Sequence, residues 1–494
     1  MKKIAAKLFA KFIIWNNKKW IENPLQAQEK ILKSLIKKGL NTKFGRDHDF
    51  ESIKNYEGFK SRVPINDYEG LKPYIESIIA GEKDILWPGK PLYLAKTSGT
   101  ISGVKYIPIT KESMPTHINS ARDAILNYIE QTGNVEFVTG KQIFIQGSPV
   151  LENLNGISLG RLSGIVAHFV PSYLQNNRMP SWETNCIEDW EDKVDSIVKE
   201  TVEQNITVIG GIPSWVQMYF EKIIKKTDNS VGKQFPGFSL FIYGGVNFEP
   251  YENLFENLIG RKIDAIELFP ASEGFIAYQD KIDSKGLLLL VDNGIYYEFI
   301  EAEKFSHPDS KRISLKDVQL GVNYLLILSS NAGLWSYNIG DTVSFVSNKP
   351  YRLVVTGRIK HFISAFGEHV IVKEVEAALK NAINSTSIEI REFTVAPQIN
   401  PASGLPYHDW MIDFKAPPGN LEEFSKTLDS EMRKQNIYYD DLIKGKVLKS
   451  INISIVEDHG FENYMKKIGK LGGQNKVPRL SNDRKIANRL SLKE

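Results

Sequence analysis

Thr97-Ser98-Gly99-Thr100-Ile101-Ser102-Gly103-Val104-Lys105 follows the apolar run Leu92 to Ala95, and its reading decides that of the whole chain. Small, hydroxyl-rich and glycine-bearing, this loop suits a polyphosphate. Ser and Thr hydroxyls and backbone N–H groups can surround phosphate oxygens, glycine lets the backbone come close, and Lys105 adds a point charge. The G-x-x-x-x-G-K-[ST] spacing of a Walker loop is missing. Taken alone, a Ser/Thr/Gly stretch is more often an ordinary turn before a strand, so the phosphate reading depends on the rest of the chain.

Outward from the loop, Pro91 to about Leu268 alternates apolar runs that suit buried strands (Gln142 to Gln146, Thr207 to Ile209, Phe238 to Tyr243) with helical segments such as Trp190 to Glu203 and Ser214 to Lys226. That is an α/β layer pattern. Upstream, Asn23 to about Gly81 has helical spacing and reads as a lead-in. Downstream, Leu287 to Val355 changes to short strands of period two, which predicts an antiparallel β subdomain. Gly357 and Arg358 then open a smaller α+β segment with a helix at Lys373 to Asn381 and strands near Ile388 and Met411. The expected fold class is α/β, with an N-terminal domain over 1–356 (lead-in, α/β core, β subdomain from about 287) and a C-terminal α+β cap over 357–494.

A chain of 494 residues is too long for one hydrophobic core. Its 62 basic and 59 acidic residues are too balanced for the basic field that nucleic-acid binding needs, so no nucleic-acid partner is expected. Cys186 is the single cysteine and forms no internal disulfide, and with no secretory h-region the expected compartment is the cytoplasm. Met1 to Trp20 sets Leu8, Phe9, Phe12, Ile13, Ile14 and Trp15 among lysines. This basic amphipathic helix could touch a membrane surface, but is expected to pack on its own domain with its lysines in water. Without about 18 consecutive uncharged apolar residues, no stable membrane insertion is expected.

Beside the loop stand Tyr243-Gly244-Gly245, Phe269-Pro270-Ala271-Ser272-Glu273-Gly274, Tyr337-Asn338-Ile339-Gly340-Asp341 and Gly357-Arg358. The ordered series resembles the core motifs of the adenylate-forming superfamily, which holds acyl-CoA synthetases, firefly luciferase and peptide-synthetase adenylation domains. Within it the chain is most similar to the Gretchen Hagen family of acyl acid amido synthetases, the auxin-responsive promoter family. The residues that carry this are Arg62-Val63-Pro64, Asp67-Tyr68-Glu69, Gly81-Glu82, Leu86-Trp87-Pro88-Gly89, Ser98-Gly99-Thr100, Gly211-Ile212-Pro213-Ser214-Trp215, Lys360 to Glu368, and Lys476-Val477-Pro478-Arg479. The resemblance covers nearly the whole chain. It departs at Thr97, where the family commonly has a second serine, and at Phe269-Pro270, where the superfamily often has Tyr-Gly.

The resemblance implies an enzyme that uses ATP and Mg2+ to activate a small carboxylic acid as its acyl-adenylate and passes the acyl group to an amine, an amino acid in the family. Carried over by position, Ser98, Gly99, Thr100 and Lys105 would hold the phosphates, with Thr97, Ser272 and Tyr337 among the nucleotide-binding positions. Gly244 and Gly245 would form a flat backbone platform against adenine, and Phe269 would stack on or beside it. Asp341 would accept from the ribose hydroxyls, since a carboxylate offers only acceptors. Glu273 would be the magnesium ligand. Arg358 would touch ribose or phosphate at the hinge of a mobile cap. Lys105, Thr100 and Lys476 would be catalytic, with Lys476 meeting the charge that builds at the α-phosphate; its alternative is a solvated lysine in a basic tail beside Lys466, Lys467 and Lys470.

The acyl pocket is expected along the Glu112 to Gln131 helix and Gly164 to Val170, with Arg122 and His168 as candidate substrate contacts. The plainer readings are a hairpin end for Asp341, a helix N-terminal charge for Glu273 and a core position for Phe269. Two other functions stay open: an acyl-CoA ligase, with coenzyme A or a carrier thiol as acceptor, and a catalytically silent nucleotide- or acyl-binding protein. The acid, the acceptor and the oligomeric state are not legible.

Overall fold

In a computed structural model, the lead-in is helical where its spacing predicts, in Pro24–Gly39, Lys43–Asp47, Tyr56–Arg62 and Tyr68–Ile79. The last three begin at a side-chain cap: Thr42, Asn55 and Asp67 accept from the backbone N–H of Gly45, Gly58 and Gly70 at 2.9–3.0 Å. The structure describes residues 2–493 except 101–102, 171–174, 246–247, 249–251, 306–309, 359–361, 364, 369, 387, 389, 417–418 and 469–476. Two compact units are distinguished. The larger holds Met1–Thr97, Lys105–Ile187 and Lys193–Ile359, and the smaller Ser98–Val104, Glu188–Asp192 and Lys360–Glu494.

In the larger unit, a twelve-stranded sheet is formed among the described residues. From one edge its order is Arg178–Met179, Lys141–Ile145, Ile206–Gly211, Leu240–Gly244 and Asp264–Ala271, all parallel. It turns antiparallel through Gly274–Tyr278, Leu287–Leu289, Tyr351–Arg358, Tyr337–Asn348, Asn323–Ser330, Ile295–Glu301 and Ile313–Ser314. The antiparallel subdomain read from period two is thus continuous in hydrogen bonding with the α/β core. The hairpin of Asp264–Ala271 and Gly274–Tyr278 is the join, because there the chain reverses instead of crossing over through a helix.

The lead-in is tied to the antiparallel strands by buried polar groups. The Gln28 amide donates to the carbonyls of Val291 and Ile295, both at 2.8 Å, and accepts from Tyr297 N at 2.8 Å. Arg312 pairs with the wholly buried Glu298 at 3.0 Å and donates to the carbonyls of Lys60 and Val63. Trp335, fully buried, stacks on Phe44 and donates to Leu86 O at 3.0 Å. The Arg62-Val63-Pro64 and Leu86-Trp87-Pro88-Gly89 motifs therefore serve packing.

One local expectation is corrected. Thr97 to Lys105 is not mainly a loop: strands Tyr93–Thr100 and Gly103–Ile109 run almost to its middle and are neighbours in a four-stranded sheet with Ile157–Gly160 and Glu152–Leu154. Thr97, Thr100 and Val104 are β-branched and favour extension. Residues 101–102 lie outside the described residues.

In the smaller unit, helix Val372–Thr386 and strands Ile390–Gln398, Tyr407–Phe414 and Asn452–Ile455 agree with the α+β pattern. The fully buried Glu368 accepts from Phe366 N and bonds His408 Nε2, both at 2.8 Å. His408 stacks on Tyr439, whose hydroxyl donates to Asp429 at 2.7 Å.

Candidate active site

Gly244 ends strand Leu240–Gly244 opposite Leu268 of the neighbouring strand, and a Cβ there would stand 2.5 Å from the Leu268 carbonyl oxygen. Only glycine fits this approach, and the backbone surface is left flat. Gly245 follows at φ +84°, exposed and with open space where a Cβ would be. Phe269 comes one residue after Leu268, which pairs with Gly244, and is partly buried against the core cluster that holds Ile276 and Tyr337. Ser272 and Glu273 form the turn of the hairpin that Ala271 and Gly274 close. Glu273 is half-buried in that turn, so the reading as a helix N-terminal charge does not hold.

Asp341 is set by a bulge. Leu325 pairs with Thr342 and Ile327 with Asn338, so Ile339, Gly340 and Asp341 stand opposite Leu326 alone. Gly340 has φ +85°, and its N–H donates to the Asn338 side chain at 2.8 Å. The bulge turns Asp341 out of the regular alternation and into register with Arg358 on strand Tyr351–Arg358.

What joins this strand to Lys105 is the lead-in. Asn66 forms a parallel bridge with the fully buried Tyr337: its N–H donates to Ser336 O at 2.9 Å and its carbonyl accepts from Asn338 N at 2.7 Å. Two residues on, the Tyr68 hydroxyl accepts from Tyr106 N at 3.0 Å, and Lys105 Nζ stands 6.0 Å from the Tyr68 ring centre. Burial pushes the Tyr68 phenol up to about 12, so it stays neutral beside the lysine. Lys105 is thereby linked through Tyr68 and Asn66 to Tyr337 and, four residues on, to Asp341. The sequence displayed Asp67-Tyr68-Glu69 as a motif but not this bridging use.

Glu267 was also missed. It pairs in register with Tyr243 and shares a strand face with Phe269, and burial pushes its carboxyl up to about 7. A lone acid between Ile266 and Leu268 was the available signal.

The substrate candidates are otherwise engaged. Arg122 donates twice to Asp123 Oδ1 at 2.7 and 2.8 Å and stands 5.4 Å from the Phe9 ring, so it faces the N-terminal helix. His168 bonds the Pro149 carbonyl at 2.8 Å and meets Trp182 edge-on. Thr97 is half-buried, and Ser98, Gly99 and Thr100 continue its strand. Lys476 lies outside the described residues, but the segment C-terminal to it is anchored: Pro478 O accepts from Thr394 at 2.6 Å and Arg479 O from Val395 N at 3.0 Å.

Sequence models of the GH3 family match this chain in three parts: its N-terminal domain over residues 16–168, its central domain over 288–358 and its C-terminal domain over 373–485. The chain is 21% identical to a jasmonoyl-L-amino acid synthetase of Oryza sativa subsp. japonica, with 92% of each chain covered. It is 19% identical to an indole-3-acetic acid-amido synthetase of Arabidopsis thaliana, covering 92% of this chain and 89% of that one. Its fold is similar to the solved structure of the GH3.15 acyl acid amido synthetase, at TM-score 0.62 and 15% identity over 99% of this chain and 97% of that one.

Proposed function

The chain belongs to the GH3 (Gretchen Hagen) family of acyl acid amido synthetases, and from that premise we propose how its residues carry out the family's reaction. It is a ligase that activates a carboxylic acid with ATP and joins it to an amine. A free carboxylate is a poor electrophile, because its leaving group would be oxide. In the first step a carboxylate oxygen attacks the α-phosphorus of ATP, and pyrophosphate leaves with the electron pair of the broken P–O bond. In the second the amine nitrogen attacks the acyl carbonyl, loses its proton to solvent, and AMP departs.

Thr97, Ser98, Gly99, Thr100 and Lys105 hold the phosphates in this reading, and Lys476 meets the charge that grows at the α-phosphate. The backbone of Gly244 and Gly245 takes one side of adenine with Phe269 beside it, Asp341 accepts from the ribose, and Ser272 and Arg358 complete the nucleotide's surroundings; Tyr337, fully buried, does not reach the nucleotide as the resemblance implied but holds the strand that carries Asp341. Glu273, half-buried in its turn, would hold magnesium, since a carboxylate offers the hard oxygen that cation prefers. Bound there, the metal would neutralise charge on the polyphosphate. The observation that carries the reading is the link from Lys105 through Tyr68 and Asn66 to the Tyr337 strand, which supports one nucleotide site for motifs far apart in sequence. The lone cysteine fits a reducing cytoplasm.

The names of the relatives make an amino acid the proposed acceptor and a small hormone-like acid the proposed substrate class. Incubation with ATP, magnesium, hydroxylamine and a panel of aryl and alkyl acids should release pyrophosphate and form a hydroxamate for at least one acid. Replacing hydroxylamine by amino acids should then give an amide. A thioester formed in preference with coenzyme A would make the protein an acyl-CoA ligase, and no pyrophosphate with any acid would leave a silent binding protein.

A further inference from the structure

The N-terminal helix Lys2–Glu22 has two apolar faces, and among the described residues one is packed and the other exposed. Ala10 is fully buried in a cluster with Ala124, Tyr128 and Phe137, and Ala6, Ile13, Trp20 and Ile21 pack against the same cluster. Lys3 pairs with Glu136, which adds a polar tie to the same body. The helix is therefore fixed to its unit along one side. On another side, Ile4, Leu8, Phe12 and Trp15 are 67%, 64%, 55% and 59% exposed. Their spacing of four, four and three places them in one stripe about 16 Å long.

Lys7, Lys11 and Lys18 project along one flank of that stripe, and Lys19 stands 5.4 Å from the Trp15 ring. No acidic residue occurs between Lys2 and Ile21, so Lys2, Lys7, Lys11, Lys18 and Lys19 meet no acid within this stretch of sequence and Lys3 reaches outside it to Glu136, although the whole chain is only +3. We propose that this face is an interfacial anchor that lays the protein on an anionic phospholipid surface, with Ile4, Leu8, Phe12 and Trp15 entering the headgroup boundary and the lysines meeting lipid phosphates. Exposed apolar residues beside lysines are the arrangement that binds in the plane of such an interface, and tryptophan favours the headgroup level. A second copy of the chain fits less well, because it would bring the same lysines face to face. No helix among the described residues is long and apolar enough to cross a membrane, so contact would be confined to the surface.

The test is co-sedimentation of the full chain with phosphatidylcholine vesicles with and without roughly a third phosphatidylglycerol, at low and high salt. The anionic vesicles should pellet the protein at low salt, and added salt or pure phosphatidylcholine should release it. Leu8→Ser/Phe12→Ser/Trp15→Ser should weaken partitioning roughly tenfold or more, and Lys7→Glu/Lys11→Glu/Lys18→Glu should abolish the dependence on anionic lipid. The lysine substitutions lie on a solvated flank, so they keep the test informative if the triple serine variant folds poorly. Absence of wild-type binding at low salt, or binding that survives both variants, overturns the proposal. So does self-association in buffer, read by sedimentation velocity, that the serine variant removes while no vesicle binding is seen.

Discussion

Asp341 carries the ribose contact in the proposed site, and its loss should be felt in ATP binding more than in folding. A hydrogen bond to a charged group contributes about 1.5 to 3 kcal/mol, so Asp341→Ala should lower pyrophosphate release roughly 10- to 100-fold, mostly through the KM for ATP. Asp341→Asn keeps one acceptor and should fall between. Unchanged ATP dependence in the alanine variant would remove the residue from the site. Asp341, Phe269 and Glu273 stand out as candidates because their chemistry and order are written in the chain; burial is not, and for that reason Glu267 and His117 do not stand out in the sequence. His117 is almost fully buried on helix Met114–Thr132, and burial pulls its imidazole down to about 4. A folded-state value below the unfolded 6.5 means that the unfolded chain takes up the proton first, so stability falls as pH drops from about 6.5 to 4, by about 3 kcal/mol at the lower end. Thermal melts across that window should show the loss, and His117→Asn should flatten it; identical slopes would contradict the assignment.

The bulge at Gly340 is the element that aims Asp341, and it requires a positive φ. A Cβ there would meet open space, so the cost of substitution is backbone strain, about 1 to 2 kcal/mol for a residue that resists the left-handed region. Gly340→Val should destabilise by about that amount and raise the KM for ATP as the bulge relaxes, whereas Gly340→Asn should be milder. Equal effects of the two in urea unfolding and ATP titration would show that the conformation does not matter. The sequence displayed this glycine as part of a motif, but a bulge depends on the partner strand's register, which no single segment records. The hydroxyl-rich stretch departs from the expected loop for a related reason: its residue types suit both loop and strand, and pairing with a neighbour decided for strand. In the smaller unit, Glu368 accepts from Phe366 N and bonds His408. Glu368→Ala would leave buried polar partners unmet and should lower stability by about 3 to 5 kcal/mol, with Glu368→Gln recovering part. Denaturant unfolding followed by fluorescence reads this directly, and a shift below about 1 kcal/mol, the worth of an exposed pair, would contradict it.

At the scale of the molecule, the order of motifs was the most legible feature. It foretold the family, because the residues that carry the resemblance stand in one order along nearly the whole chain. What the order could not reveal is how they are joined: Lys105 is linked to the Tyr337 strand through Tyr68 and Asn66, from a lead-in that looks purely structural in sequence. Two chemical steps on one chain make a demand that a single residue can test. Negative charge grows at the α-phosphate during adenylation, whereas aminolysis of the finished adenylate expels a phosphate already charged. A lysine aimed at the first transition state should therefore matter little to the second. Lys476→Ala should slow pyrophosphate release at least about 100-fold, yet convert chemically prepared acyl-adenylate and amino acid to amide within a few-fold of the unaltered enzyme. Equal losses in both assays would mean that Lys476 supports the fold or both steps alike. No loss in either would return it to the solvated tail of Lys466, Lys467 and Lys470.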